Sequence, residues 1–262
     1  IVDRPDATVY AVLLEGWARS GKEHAANEVK RIISEMEALQ ASTGDDAFLP
    51  TVFHYTSLMN VYWKSNQPEK AEEILNFMEA STHVKPDVIA YTTVINAWGR
   101  SGHRNRATRA WNVLNRMKDA YQDGNVSAIP NVYSYTGVIQ ACIGLPNRTP
   151  DEGVQNMKIA LLAISEIEKY DPPNHVTFKA LLFCVLNLPE TKEREKVATT
   201  LFSKCCEHGQ VDDSVLLMLK RVTPFLFKRI IKTVPSSVDG TTTQTPDIPE
   251  QWRRNVNVSR SS

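Results

Sequence analysis

Five segments of the chain open on an aromatic residue and place apolar residues three, four and seven positions further on. They run from Tyr10 to Trp17, Tyr55 to Tyr62, Tyr91 to Trp98, Tyr135 to Cys142 and Phe178 to Val185. This spacing puts one apolar stripe along an α-helix. The openers lie 45, 36, 44 and 43 residues apart, which is the signature of a degenerate repeat. A second amphipathic segment follows each opener and is predicted to start at an alanine: Ala26, Ala71, Ala107, Ala160 and Ala198. The first three lie sixteen residues after their tyrosine, whereas nine and four residues are inserted before Ala160 and Ala198. The apolar pairs Ile33 and Met36, Leu75 and Met78, Leu114 and Met117, Ile164 and Ile167, and Leu201 and Phe202 continue the second stripes. Turn signals at Ser20-Gly21, Asn66-Gln67-Pro68, Ser101-Gly102 and 146–150 separate the two helices of each pair.

Each unit ends on similar punctuation: Lys85-Pro86-Asp87, Ile129-Pro130-Asn131 and Pro172-Pro173-Asn174. Proline stops the second helix, and Asp or Asn caps the next. The reading is an all-α array of about five helical hairpins, at 7–51, 52–87, 88–131, 132–174 and 175–212. A lone hairpin cannot bury both faces, so neighbours stack into a solenoid. Residues 213–234 are expected to form a helical cap, with a short basic helix from Pro224 to Val234. Residues 235–262 are rich in Pro, Ser, Thr and Gly and are expected to be mostly mobile. Trp252 is either part of that mobile tail or an aromatic anchor that docks it. Pro5-Asp6 reads as the end of a preceding repeat. With no initiator Met, the chain reads as the C-terminal portion of a longer protein.

The stretch from Val88 to Ile95 (VIAYTTVI) and the Lys85-Pro86-Asp87 ending resemble the pentatricopeptide repeat. The Trp-x-x-Leu-Gly opener of tetratricopeptide repeats is missing. The resemblance is best over 52–131, good over 132–174 and weak over 7–51 and 175–212. It implies a right-handed superhelical solenoid that binds single-stranded RNA, roughly one base per repeat. In that family the residue after the opening Tyr and the last residue of the repeat select the base. An apolar residue two positions before the Tyr packs on the base face. Carried over, repeat two offers Thr56 and Asp87 with Phe53, repeat three Thr92 and Asn131 with Ile89, and repeat four Thr136 and Asn174 with Tyr133. Thr with Asp resembles the pairing for G and Thr with Asn that for A, so the implied triplet is 5′-GAA-3′. Ala11 with Thr51, and Lys179 with Asp212, fit none of the usual pairs. The resemblance also implies an organellar location, in a mitochondrion or chloroplast.

Charge alters this picture locally. Thirty Lys and Arg balance thirty Asp and Glu, so a globally basic nucleic-acid binder is not indicated. Residues 88–131 nevertheless carry six basic and two acidic residues, and 213–232 carry five and one, while 1–51 carry five and nine. The basic clusters read either as phosphate contacts or as solvated helix faces. Cys205, Cys206 and His208 make only half of a zinc site, and Cys142 and Cys184 read as core residues. No phosphate-binding glycine loop, dinucleotide fingerprint, zinc-protease helix, nucleophile elbow or zinc-deaminase signature occurs, so neither catalysis nor a cofactor is expected. No run of 18 apolar residues predicts a membrane span. Two further readings stay open, a protein-interaction scaffold and a component associated with an organellar ribosome, since helical solenoids suit protein partners equally well.

Overall fold

The computed structural model describes residues 7–22, 24–144, 149–233 and 248–256. Pro5-Asp6, most of the turn at 146–150 and much of the 235–262 segment lie outside them. Among the described residues the chain is helical, with no strand. The five hairpins are α1 (Ala7–Ser20) with α2 (Ala25–Thr43), α3 (Val52–Lys64) with α4 (Pro68–Ala80), α5 (Val88–Arg100) with α6 (Arg106–Gln122), α7 (Val132–Ala141) with α8 (Pro150–Ile167), and α9 (His175–Cys184) with α10 (Lys192–Glu207). Two more helices follow, α11 (Asp213–Val222) and α12 (Pro224–Thr233). The expected cap is thus a pair of helices. The chain divides into two compact units, Ile1–Pro130 and Asn131–Ser262.

In the first unit α1, α3 and α5 pack in succession, and α2 and α4 each touch both their own first helix and the next one. Small residues permit this approach. Ala71, Ala107 and Ala110 are buried where the second helices begin. In α2 the buried residue is Ala25, and Ala26 is only half-buried.

The aromatic openers form the core, and each tyrosine hydroxyl finds a glutamate on a second helix. Tyr10 donates to Glu35 Oε1 at 2.9 Å, Tyr55 to Glu37 Oε1 at 3.1 Å and Tyr91 to Glu79 Oε1 at 3.0 Å. Glu35 belongs to the hairpin of Tyr10 itself. Glu37 and Glu79 belong to the preceding hairpin and so tie successive repeats together. Arg116 of α6 adds a charged clamp on α4. It donates to Glu72 Oε1 at 2.8 Å, to Asn76 Oδ1 at 2.6 Å and to both oxygens of Glu79. Glu72 also accepts from Trp98 Nε1 at 2.8 Å. Arg106 is buried and donates to the carbonyls of Gly99 and Ser101.

In the second unit α7 packs on α8 and α9, and α9 packs on α10 and α11. Tyr135 donates to Glu166 Oε2 at 3.3 Å. The buried stripe of α8 starts at Gly153 and continues through Met157, Ala160, Ile164 and Ile167. Ala160 therefore lies in the middle of that helix and not at its start. Past α9, a 3-10 turn at Val185–Asn187 buries Asn187, whose Nδ2 donates to the Cys142 carbonyl at 2.7 Å.

The segment 248–256 departs from the expectation of a mobile tail. Trp252 sits edge-on to Phe202 with ring centroids 5.8 Å apart. Its carbonyl accepts from Val211 N at 2.8 Å, and Asn255 N donates to the Gly209 carbonyl at 3.0 Å. Gly209 has φ of 65°, and a Cβ there would lie 2.5 Å from Arg254 Cγ. Glycine thus meets both the left-handed turn and the close approach of the segment. Docking of this kind depends on the loop after α10, which composition does not reveal.

Two predictions follow from this packing. Ala71 is fully buried, so Ala71→Leu should overpack the α3–α4 contact and cost about 1–3 kcal/mol. Urea unfolding reads this directly, and an unchanged midpoint would disprove the close contact. Burial first, and the paired glutamate second, hold the Tyr55, Tyr91 and Tyr135 hydroxyls protonated well above the usual tyrosine range. The unfolded chain gives up these protons near pH ~10 while the folded chain keeps them. The stabilisation is complete below that pH and is lost as pH rises further, by up to ~1.4 kcal/mol per pH unit for each tyrosine. Unfolding midpoints taken from about pH 9 to 11 should fall less steeply for Tyr91→Phe than for the parent, and parallel declines would refute the assignment.

Candidate nucleic-acid interface

The residue that ends each hairpin caps the next first helix. Asp87 Oδ1 accepts from Ala90 N at 2.8 Å. Asn131 Oδ1 accepts from Tyr133 N at 3.0 Å and Ser134 N at 3.1 Å. Asn174 Oδ1 accepts from Thr177 N at 3.0 Å. Each satisfies a helix-start donor that would otherwise go unpaired. All three are half-buried.

A fixed cap position fixes the phase of the helix that follows. Two residues on, the side chain points outward: Phe53 is 49% exposed, Ile89 60% and Tyr133 58%. Val176 repeats this in α9 at 39%. Four residues on, the aromatic openers are buried. The outward apolar column is therefore left in water while equally large side chains fill the core.

Five residues on stand Thr56, Thr92 and Thr136. Thr56 is 8% exposed and Thr136 7%. The hydroxyls of Thr56 and Thr92 are covered and have no hydrogen-bond partner, whereas Thr136 Oγ1 lies 2.7 Å from Thr177 Oγ1. The cause is the direct packing of α3 on α5 and of α7 on α9, which closes over the base of each threonine.

In the first unit Thr56, Asp87, Phe53, Ile89 and Thr92 all lie near the starts of α3 and α5. In the second unit a groove of about 630 Å³ brings together Asn131, Tyr133 and Asn174. Arg254 and Asn255 of the docked segment also line it, with Asp171, Glu207 and Gln210. Thr136 is not among its walls. Reasoning from sequence missed the part played by 248–256, for which Trp252 was the available signal.

The two non-standard ends have a local explanation. The Thr51 hydroxyl and backbone N–H both lie 2.9 Å from His54 Nδ1. Asp212 caps Val215 N at 2.8 Å, and both of its oxygens take the Ser214 hydroxyl, at 2.9 and 3.1 Å. Neither side chain is left open for a base edge.

The basic cluster of 88–131 is largely committed to packing. Besides Arg106 and Arg116, Arg109 stacks over Trp98 at 5.3 Å and Lys118 over Trp111 at 5.5 Å. The Arg109 contact joins the two helices of one hairpin and the Lys118 contact lies within α6, so these side chains are held by packing rather than standing as a solvated face or a free phosphate site. Cys205 is buried, and burial pushes the Cys206 thiol up to about 12. Among the described residues no three His, Cys, Asp or Glu side chains are grouped so as to hold a metal ion, and no helix is long and apolar enough to cross a membrane.

Residues 50–100 match the model of the PPR repeat family, which covers hairpin α3–α4 and all of α5. Several Arabidopsis thaliana proteins are similar. A chloroplastic pentatricopeptide repeat-containing protein is 24% identical over 139 residues, 53% of this chain and 22% of the relative. A second repeat-containing protein is 28% identical over 119 residues, 45% of this chain and 19% of the relative. A mitochondrial one is 23% identical over 190 residues, 64% of this chain and 28% of the relative. The chain thus spans less than a third of the length of these relatives. The matched stretch thus carries a pentatricopeptide repeat, and its tyrosine-opened construction recurs in the hairpins before and after it in sequence, which is as far as the likeness to these relatives reaches.

Proposed function

We propose that the first-helix starts bind single-stranded RNA with sequence preference, in organellar RNA processing, stabilisation or translation. The observation that carries this reading is the outward apolar residue near the start of each first helix, Phe53 and Ile89 in the first unit and Tyr133 in the second. Ile89 and Tyr133 stand two residues after a capping Asp or Asn and Phe53 two after Thr51, and each stands three before a threonine. A base stacked on such a side chain has a hydrogen-bonding group on either hand. The cap uses one carboxylate oxygen of Asp87, and in Asn131 and Asn174 it uses the amide oxygen, leaving the NH₂ donors to face a base edge. The covered hydroxyls of Thr56 and Thr92 have no partner, and rotation about χ1 would let each bond to a base. A buried unpaired hydroxyl costs about 1–3 kcal/mol, so that exchange is favourable. No step of bond making or breaking is involved. Occupancy of the RNA, which excludes a nuclease or a competing RNA structure, is the mechanism. Chloroplastic and mitochondrial relatives support an organellar setting.

Selection from a randomised single-stranded RNA pool at moderate salt should enrich a GAA core. Asp87→Asn keeps an N-cap acceptor, so its stability should stay within a few tenths of a kcal/mol of the parent, while its first preferred base changes from G to A. Asp87→Ala should lose about 1 kcal/mol of stability together with that preference. If Asp87→Asn leaves the enriched sequence unchanged, the base assignments are wrong. If the parent retains no RNA even at low salt, the scaffold reading replaces this one.

A further inference from the structure

The C-terminal pair of first helices departs from the column pattern in a way that repeats one to four do not share. At the position of Thr56, Thr92 and Thr136, α9 carries Lys179. It is exposed and makes no hydrogen bond or ion pair among the described residues. One turn further on, the same face of α3, α5 and α7 carries the neutral amides Asn60, Asn96 and Gln140. In α9 that place is taken by Phe183, and in the adjoining α11 by Arg221. The exposed Arg221 guanidinium lies over the Phe183 ring, 5.1 Å from its centroid. Lys179 and Phe183 are four residues apart and share one helix face. Lys179, Phe183 and Arg221 thus form one cationic and aromatic surface. Lys179 with Asp212 fits none of the usual base-selecting pairs, and Asp212 already accepts from the Ser214 hydroxyl and Val215 N. The nearby acid Asp213 is paired to Arg253 of the docked segment at 2.9 Å, which leaves the surface with an excess of positive charge.

We propose that the α9–α11 surface is a sequence-independent anchor for one single-stranded RNA nucleotide. Lys179 and Arg221 neutralise backbone phosphate there, and the Arg221–Phe183 stack offers a planar face to any base. A guanidinium plane and an aromatic edge accept all four bases, since each has a π-face. The inference rests on the RNA-binding reading but makes a separate demand, which is affinity without preference.

The test uses the full chain and two RNA probes of about a dozen nucleotides, one with GAA in a U background and one of U alone. Affinities are measured across a salt series. For Lys179→Gln combined with Arg221→Gln, the slope of log K against log salt should fall by roughly 1.4, about 0.7 for each lost phosphate contact on a single strand. Both probes should weaken by the same factor, so that the GAA preference ratio is unchanged. Arg221→Lys should keep the parent slope and weaken both probes equally through the lost stack. Both substituted residues are exposed, and an unchanged urea midpoint confirms that folding is intact. An unchanged slope in the double variant overturns the anchor while leaving base selection by repeats two to four standing. Weakening confined to the GAA probe also overturns it. A parent that binds neither probe removes the anchor and the RNA reading together.

Discussion

The capping contact at each hairpin boundary is the constraint on which the rest of this structure depends. An α-helix turns 100° per residue, so residues two and four places after a cap point in nearly opposite directions. Once Asp87 accepts from Ala90 N, Ile89 must face out and Tyr91 must face in. The same holds for Tyr133 and Tyr135 after Asn131. A core of tyrosines and an outward apolar column are therefore one consequence of one hydrogen bond. The buried tyrosines pass the constraint on, because a hydroxyl aimed at Glu37 or Glu79 fixes the preceding second helix relative to the new first helix. Without the cap, fraying of the first turn would blur both columns together.

Charge is divided between the two kinds of helix. In the first unit Arg116, Glu72 and Glu79 hold second helices together, while Arg106 is bound within its own hairpin. The first-helix columns hold threonines and neutral amides. A surface of this kind contributes little long-range attraction, so discrimination between bases has to come from short hydrogen bonds and stacking. Only towards α9 and α11 do cations enter the columns.

Much of the fold was legible because helical periodicity and Pro, Gly, Asp and Asn punctuation act locally. The Tyr91 and Tyr135 helices start within a residue of their capping Asp or Asn, as the punctuation indicated. Legibility failed where placement depended on distant partners. Ala160 was taken as a helix start by aligning alanines, but α8 starts at Pro150 and Gly153 is the first residue of its buried stripe. Nothing local in a Pro- and Thr-rich tail announces that Trp252 reaches Phe202, which lies fifty residues earlier in the chain. Arg116 was counted only as part of a basic cluster, because its partners lie 37 to 44 residues away on another hairpin. The candidate base-selecting residues were found by resemblance alone. Their burial was not, because it follows from how closely α3 approaches α5.

The double use of the boundary residue limits what an array of this kind can read. Asn, Asp, Ser and Thr are the side chains that cap well, and of these only Asn and Asp keep a second polar atom after capping. A boundary that must both hold a helix start and meet a base is therefore restricted to amide or carboxylate. Where local chemistry takes the second atom, recognition is lost and the cap remains. At Thr51 the single hydroxyl is held by His54, and at Asp212 the Ser214 hydroxyl takes both oxygens. Serine two places after the cap is also what replaces the outward apolar residue of the other repeats, so one position in α11 both lacks the stacking platform and competes for the carboxylate. The change from Thr to Lys179 in the neighbouring α9 is then consistent with a surface that has given up choosing bases and holds the strand by charge.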